Sequence, residues 1–320
     1  MKKAIGTFVF VALAGTCGAQ AQQGKLEPVE AAPFFDLNAG PIVYIETADS
    51  QVLMFTDKEK YVLHGRPLEI HAKNVAITGN VIVRSFSEDE HGNNTSGTPK
   101  TEPQAGDKPQ GAGSGDNGAD GDPGHPGAIG DPGGAGDPSG PFRLYLTSIS
   151  GEGTLTFNSA GMKGGRGQEG GKGQNGQRGG KGHDRGSSDS PGDGGNGGDG
   201  GTGGQGGPGG PGGSGGQISY AKQMCSLKAL RLISPESEGG DPGTPGKGGK
   251  NGGHGDGGGG YGTFGDTSGG HPGQKEGVDH ENDLGPAGEK GKKGAQGEIT
   301  CLDCTKPAVV DKAGVLQCSE

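Results

Sequence analysis

The chain has 320 residues, of which 78 are Gly and 21 are Pro, while only 27% are hydrophobic and 4% aromatic. This composition excludes an ordinary globular domain with one large apolar core, so stability must come largely from backbone pairing or crosslinks. The formal net charge of −10 argues against a nucleic-acid partner bound through its phosphates.

Residues 1–21 have the pattern of a secretory signal peptide. Two lysines and an apolar run over residues 4–14 precede small residues that mark a cleavage site before Gln22. The apolar run is too short to anchor the mature chain across a membrane. The residue before Cys17 is unfavourable for lipidation. The sequence therefore predicts a secreted or cell-surface protein with no transmembrane segment in the mature chain.

Residues 22–86 are predicted to form an N-terminal β-module that begins with a flexible lead-in. Its short runs alternate apolar and polar residues with period two, which is typical of strands with one buried face. The runs are Ile42–Ile45, Val52–Phe55, Tyr61–Leu63, Leu68–Ala72 and Val75–Val83. A hydrolase or ligand-binding site in residues 41–86 is an alternative to a purely structural module. Residues 87–114 offer no large apolar side chain and are interpreted as a polar linker.

Residues 115–298 contain glycine-triplet tracts interleaved with short strands at 142–158 and 217–233. Every third residue is Gly from Gly164 to Gly182 and again from Gly194 to Gly215. A period of three matches neither an α-helix nor a strand, but it matches the left-handed polyproline II helix. The sequence thus predicts a mainly β plus polyproline-II/polyglycine-II fold. In this fold, short β-strand layers alternate with a bundle of glycine-rich left-handed helices, and there is almost no α-helix.

A unit of strands followed by a glycine tract recurs about three times along the chain. Val81 and Val83 correspond to Leu155 and Phe157 in the second copy. The segment Ile218 to Ile233 gives a third, less regular copy. Such self-similarity is the sequence signature of stacked repeats.

The triplets resemble those of two known families. Gly-Asp-Pro, Gly-His-Pro and Gly-Glu-Lys triplets resemble collagen-like bacterial surface proteins, in which three chains wind together. Gly-Gly-X triplets resemble polyglycine-II bundle proteins such as the snow-flea antifreeze protein and phage tail-tip adhesins. In those, antiparallel helices of one chain pair their backbones. The resemblance covers about half of the chain and implies no catalytic or binding residue.

The tracts favour a monomeric bundle over a homotrimer. Each tract has only five to eight triplets, and most triplets between residues 194 and 216 contain a second Gly. The second Gly raises the entropic cost of ordering a lone helix, and a bundle offsets that cost through several paired backbones. A collagen-like trimeric stalk and disorder are the alternatives.

No catalytic, metal-binding or cofactor-binding residue is predicted. The glycine-rich stretches lack the Lys-Ser/Thr of a phosphate-binding loop, and the eight histidines have neither HExxH nor His-x-His spacing. Four cysteines remain after signal cleavage, namely Cys225, Cys301, Cys304 and Cys318. In an exported chain they are disulfide candidates that would clamp the C-terminal tail, residues 299–320, to the segment near Cys225. Their pairing stays open.

Together these features predict an exported, non-catalytic structural or adhesive protein that contacts a surface, matrix or host polymer. The identity of that ligand does not follow from the sequence. Ice binding is an alternative function, opposed by the charged residues at many outward triplet positions.

Overall fold

The computed structural model describes residues 26–36, 40–95, 116–184, 191–241, 244, 278 and 283–304, with the backbone of two further short strands near the C-terminus. The predicted signal peptide, Cys17, Cys318 and most of the predicted linker lie outside these residues.

Short extended runs dominate the described chain, because its apolar residues alternate with polar ones over stretches of only a few residues. Two 3-10 helices, Ala32–Phe35 and Lys222–Ser226, are the described helical elements. The strands are β1 (Glu27–Glu30), β2 (Val43–Glu46), β3 (Gln51–Thr56), β4 (Tyr61–Val62), β5 (Leu68–Thr78), β6 (Val81–Arg84), β7 (Phe142–Glu152), β8 (Leu155–Asn158), β9 (Ile218–Tyr220), β10 (Leu230–Ile233), β11 (Ile299–Cys301), β12 (Val309–Val310) and β13 (Leu316–Gln317).

The strands within the described residues form two parallel sheets and one hairpin. The large sheet has seven strands in the order β1-β3-β5-β7-β9-β11, with β2 also paired to β5. The small sheet has four strands in the order β10-β8-β6-β4, and β12 pairs with β13 in an antiparallel hairpin. Neighbouring strands are separated in sequence by a strand of the other sheet or by a long connection, which allows parallel pairing.

The core lies between the two sheets. In β7, Phe142, Leu144 and Leu146 are buried while Arg143 is exposed, as expected for a strand with one buried face. In the small sheet, Phe157 is fully buried. Burying aliphatic and aromatic side chains of this kind contributes about 1.5–3 kcal/mol each.

Five glycine segments extend the sheets beyond the core. They are segment 1 (residues 116–141), segment 2 (159–184), segment 3 (191–217), segment 4 (234–241 and 244) and segment 5 (283–298). Segments 1, 3 and 5 lead into β7, β9 and β11 of the large sheet. Segments 2 and 4 continue from β8 and β10 of the small sheet.

The prediction of short β-strand layers alternating with a bundle of glycine-rich left-handed helices is wrong. Strands from distant parts of the chain combine into two continuous parallel sheets. They do not stand as separate layers between glycine tracts. The period-three pattern describes the glycine segments alone, whereas pairing between strands far apart in sequence determines the two sheets.

Arg66 ties the N-terminal segment to the small-sheet side of the core. Its guanidinium donates hydrogen bonds to the carbonyl oxygens of Leu63 at 2.8 Å, Asp36 at 2.9 Å, Gly40 at 3.2 Å and Phe35 at 3.0 Å. Burial lowers the pKa of Arg66. The planar fork of donors explains why Arg rather than Lys suits this position.

Replacing Tyr220 by phenylalanine is expected to raise the free energy of unfolding by about 1 kcal/mol. The Tyr220 side chain is 1% exposed, and its hydroxyl has no hydrogen-bond partner within the described part of the chain. Removing the hydroxyl therefore removes an uncompensated desolvation cost. Urea unfolding measures the change.

The matched control is Tyr61→Phe. The Tyr61 hydroxyl accepts a hydrogen bond from the Thr56 amide at 2.9 Å, so its removal should lower the free energy of unfolding by about 1 kcal/mol or more. Equal effects of Tyr220→Phe and Tyr61→Phe would contradict the assignment of an unpaired Tyr220 hydroxyl.

Candidate functional site

Main-chain hydrogen bonds hold segments 1, 2 and 3 together in a repeating three-way pattern. The amide of Gly127 donates to the Thr202 carbonyl at 2.8 Å. The amide of Gly171 donates to Ala128 at 2.7 Å, and that of Gly204 donates to Gly171 at 2.8 Å. Each segment thus donates to one neighbour and accepts from the other. Because the backbone groups pair with one another, many of the non-glycine side chains are left to face outward.

The hydrogen-bond register also gives the direction of each segment. The acceptors in segment 3 rise in number as the donors in segment 1 rise, from Gly118 bonded to Asp193 up to Ser139 bonded to Ser214. Segments 1 and 3 are therefore parallel. Acceptors in segment 1 fall as donors in segment 2 rise, so these two segments are antiparallel. Segments 3 and 5 are also parallel.

Two rows of side chains lie next to each other on the outer side of segments 1 and 3. The Asn117 side chain accepts a hydrogen bond from the Asp193 amide at 2.8 Å, and the Asp120 side chain accepts one from the Asn196 amide at 2.6 Å. The three-residue register then continues both rows toward the sheets. This outer side is the one that faces away from segments 2 and 4 and from the small sheet.

Most of this outer surface has no charge. We call its middle part the uncharged face and define it by nine residues. Eight of them are exposed, Gln205 is half-buried, and none is Asp, Glu, Lys or Arg. Ile129 at its centre is 67% exposed. The nine residues are Pro123, Pro126, Ile129 and Pro132 of segment 1 and Thr202, Gln205, Pro208, Pro211 and Ser214 of segment 3.

The uncharged face continues into aromatic side chains on the outer side of the large sheet. Segment 1 leads directly into β7, where Tyr145 is paired in register with His71 of β5. The two rings are stacked, with centroids 4.3 Å apart and planes 12° apart. Tyr44 of β2 packs on the other side of His71 at 5.7 Å. We call Tyr44, His71 and Tyr145 the aromatic strip.

Carboxylates flank the aromatic strip. His71 Nε2 lies 2.8 Å from a Glu69 carboxylate oxygen, and Arg143 lies 3.7 Å from the other one. The Tyr44 hydroxyl donates to Glu46 at 2.9 Å. This hydrogen bond, assisted by partial burial and by the negative charge of Glu46, raises the pKa of Tyr44. The strip therefore combines ring surfaces with fixed hydrogen-bond acceptors.

The opposite side of the glycine segments has mixed charge. Segment 2 exposes Arg166, Glu169, Lys172 and Lys181 at three-residue multiples. Ion pairs hold other charges on this side, for example Lys163 with Asp241 at 3.6 Å. The uncharged face and this opposite side thus differ strongly in charge.

Two shallow clefts lie where the glycine segments meet the sheets. The first has a volume of about 240 Å³ and is lined by Arg84, Glu88 and Lys163 among others. Arg84 donates to Glu88 and lowers the pKa of that exposed carboxylate. The second, of about 430 Å³, is lined by His64 and Arg66 among others. His64 Nδ1 is hydrogen-bonded to the Glu90 carboxylate. Arg84, Lys163 and Arg66 all engage neighbouring groups of the protein.

The structure places three of the four candidate cysteines within the described residues. Cys301 and Cys304 form a disulfide with their Cα atoms 5.6 Å apart. Cys225 is also disulfide-bonded, and Cys318 lies outside the described residues. The Cys301-to-Cys304 bridge closes the short turn at the end of β11. It therefore constrains only the first residues of the C-terminal tail.

Within the described residues, no group of three or more His, Cys, Asp or Glu is arranged to hold a metal ion. No helix in the described ranges is long and apolar enough to cross a bilayer. The sequence had predicted no site on the uncharged face or the aromatic strip. The signal for the uncharged face was present only as a change in the type of residue at every third position.

No family model and no curated protein sequence matches this chain. Among solved structures, the chain is similar at 26% identity to a springtail antifreeze protein from Granisotoma rainieri, described as a bundle of nine polyproline type II helices. The match covers 63% of this chain and 100% of that chain, with a TM-score of 0.13. A TM-score this low carries no argument about fold or function.

Proposed function

We propose that this chain is an exported, non-catalytic adhesive or structural protein that contacts a surface, matrix or host polymer. The observation that carries the proposal is that the main chain and the side chains of the glycine segments have different roles. Main-chain hydrogen bonds hold segments 1, 2 and 3 together, while exposed side chains form rows that take no part in a core. A body built in this way offers a long, preorganised contact surface, which lowers the entropic cost of binding an extended partner.

Export and adhesion are tested together in the producing cell. The secreted chain is expected to begin at Gln22 by N-terminal mass spectrometry. Deleting the gene is expected to reduce attachment to the colonised surface several-fold, and added purified protein should restore it. Attachment that is unchanged by the deletion, or a chain retained inside the cell with Met1 intact, would contradict the proposal.

Ice binding is a second candidate, and one observation favours it. The uncharged face is a regular array of exposed side chains with none of the charges that oppose an ice-binding surface. Thermal hysteresis of the purified protein tests this candidate. Freezing behaviour equal to that of a control protein at the same concentration would exclude it.

A further inference from the structure

We infer that the uncharged face and the aromatic strip form one docking surface for a neutral polysaccharide. The inference rests on the proposed adhesive function and names the class of polymer that is bound. It is carried by the charge, the side-chain chemistry and the continuity of this one side of the molecule.

Charge selects a neutral polymer. The chain has 28 basic and 38 acidic residues, yet none of the nine side chains of the uncharged face is charged. The cations nearest to it are offset by carboxylates. Arg143 lies 3.7 Å from Glu69, and Lys292 of segment 5, beside the segment 3 row, is one triplet from Glu289. An acidic polymer would therefore find little to compensate the loss of its own hydration, which is costly for a charged group. A neutral polymer pays no such cost.

Among neutral polymers, the side chains of this surface favour a polysaccharide. The faces of sugar rings are apolar and pack on aromatic and proline rings, while their hydroxyls need hydrogen-bond partners. The aromatic strip supplies the rings, with Tyr44 47% exposed. Glu46 and Glu69 beside the strip supply charged acceptors, which form the stronger hydrogen bonds. On the uncharged face, Thr202 and Ser214 supply hydroxyls at the two ends of the segment 3 row.

The length of the surface favours a long polymer over a small ligand. Pro123 and Tyr145 mark the ends of the surface along segment 1 and β7, and the chain between them is extended. An extended stretch of this length reaches up to about 70 Å. The surface is also open, whereas small ligands bind in concave pockets. A linear chain of several sugars fits such a surface.

Binding to insoluble neutral polysaccharides tests the inference directly. The mature, oxidised protein is incubated with cellulose, chitin, mannan and curdlan, and the bound fraction is measured with and without soluble polygalacturonate as an acidic competitor. We expect retention on at least one neutral polymer that polygalacturonate does not displace. A Thr202→Asp substitution, which puts a charge on the uncharged face, should weaken this retention at least tenfold.

Thr244→Asp is the matched control. Thr244 is also exposed, and its carbonyl also accepts a glycine amide, that of Gly170 at 2.9 Å. It lies in segment 4, on the opposite side of the body from the uncharged face. Its substitution should leave retention unchanged. Tyr44→Ala provides a second variant in the sheet, independent of the glycine segments, and is expected to weaken retention several-fold.

Several results would overturn the inference. They are no retention on any of the neutral polymers, displacement by polygalacturonate, equal loss with Thr202→Asp and Thr244→Asp, and thermal hysteresis without polysaccharide binding. The inference and the proposed function fail separately. A protein that still mediates cell attachment but binds no neutral polysaccharide keeps the adhesive function and loses only the ligand assigned here.

Discussion

Replacing Gly204 by alanine is expected to lower the free energy of unfolding by about 3–5 kcal/mol. An added Cβ would lie 2.0 Å from the carbonyl oxygen of Ala128 and 2.7 Å from that of Gly127. Both are backbone atoms, so no rotamer change relieves the contact, and segments 1 and 3 must separate. Separation of these two segments also weakens the hydrogen bond from the Gly127 amide to the Thr202 carbonyl at 2.8 Å. The gain from stiffening the unfolded chain, about 0.4–1 kcal/mol, is too small to compensate.

Thr202→Ala in the same segment is the control for Gly204→Ala. The Thr202 side chain is exposed, and only its main-chain carbonyl joins the three-way pattern, so the expected change is within about 0.5 kcal/mol. Guanidinium unfolding of both variants, followed by far-UV circular dichroism, measures the difference. If Gly204→Ala cost no more than Thr202→Ala, the close packing of the three segments would be refuted.

The individual strands were largely predictable because they depend on local alternation. The run that contains Leu53 and Phe55 alternates buried with half-buried residues, and the run that contains Leu144 alternates buried with more exposed ones. The structure buries all three side chains. In β1 the sequence Glu-Pro-Val-Glu has a single apolar residue other than proline. The sequence therefore favoured a flexible lead-in there, while pairing with β3 makes it a strand.

The sequence repeat predicted part of the pairing between strands. Val81 and Val83 pair in register with Leu155 and Phe157, as their correspondence in the sequence suggests, and Leu230 continues the first of these rows. Stacked repeats of this kind bury a continuous core. The rest of the pairing was not predicted from the sequence, because the three-residue period of the glycine tracts between the strands suggested a body separate from the sheets.

The uncharged face was not predictable because two non-glycine positions in each triplet point in different directions. The neighbours Asp131 and Pro132 show the effect. The Asp131 amide donates to the Gln168 side chain of segment 2 at 2.9 Å, so Asp131 lies at the boundary with segment 2. Pro132 belongs to the outer row. A count of charges along the sequence does not distinguish these two rows of side chains. Only the hydrogen-bond register with segment 3 shows which residues belong to the outer row.

Tyr61→Ala is expected to lower the free energy of unfolding by about 3–5 kcal/mol. Tyr61 belongs to β4, the two-residue edge strand of the small sheet, and is 1% exposed. Its ring packs edge-on against Phe55 of the large sheet at 5.1 Å and against Phe35 at 5.2 Å. Truncation removes both aromatic contacts, leaves a cavity between the sheets and deprives the Thr56 amide of its acceptor at 2.9 Å.

Tyr44→Ala is the counterpart of Tyr61→Ala on the outer side of the large sheet. It removes the same side chain from a half-exposed position, so the free energy of unfolding should change by about 1 kcal/mol or less. Thermal and urea unfolding of both variants, measured beside polysaccharide retention, separate two roles of tyrosine. Tyr61→Ala should reduce stability while the folded fraction still binds, and Tyr44→Ala should reduce binding at nearly unchanged stability. The reverse pattern would show that the outer side of the large sheet holds the fold together and that the contact surface lies elsewhere.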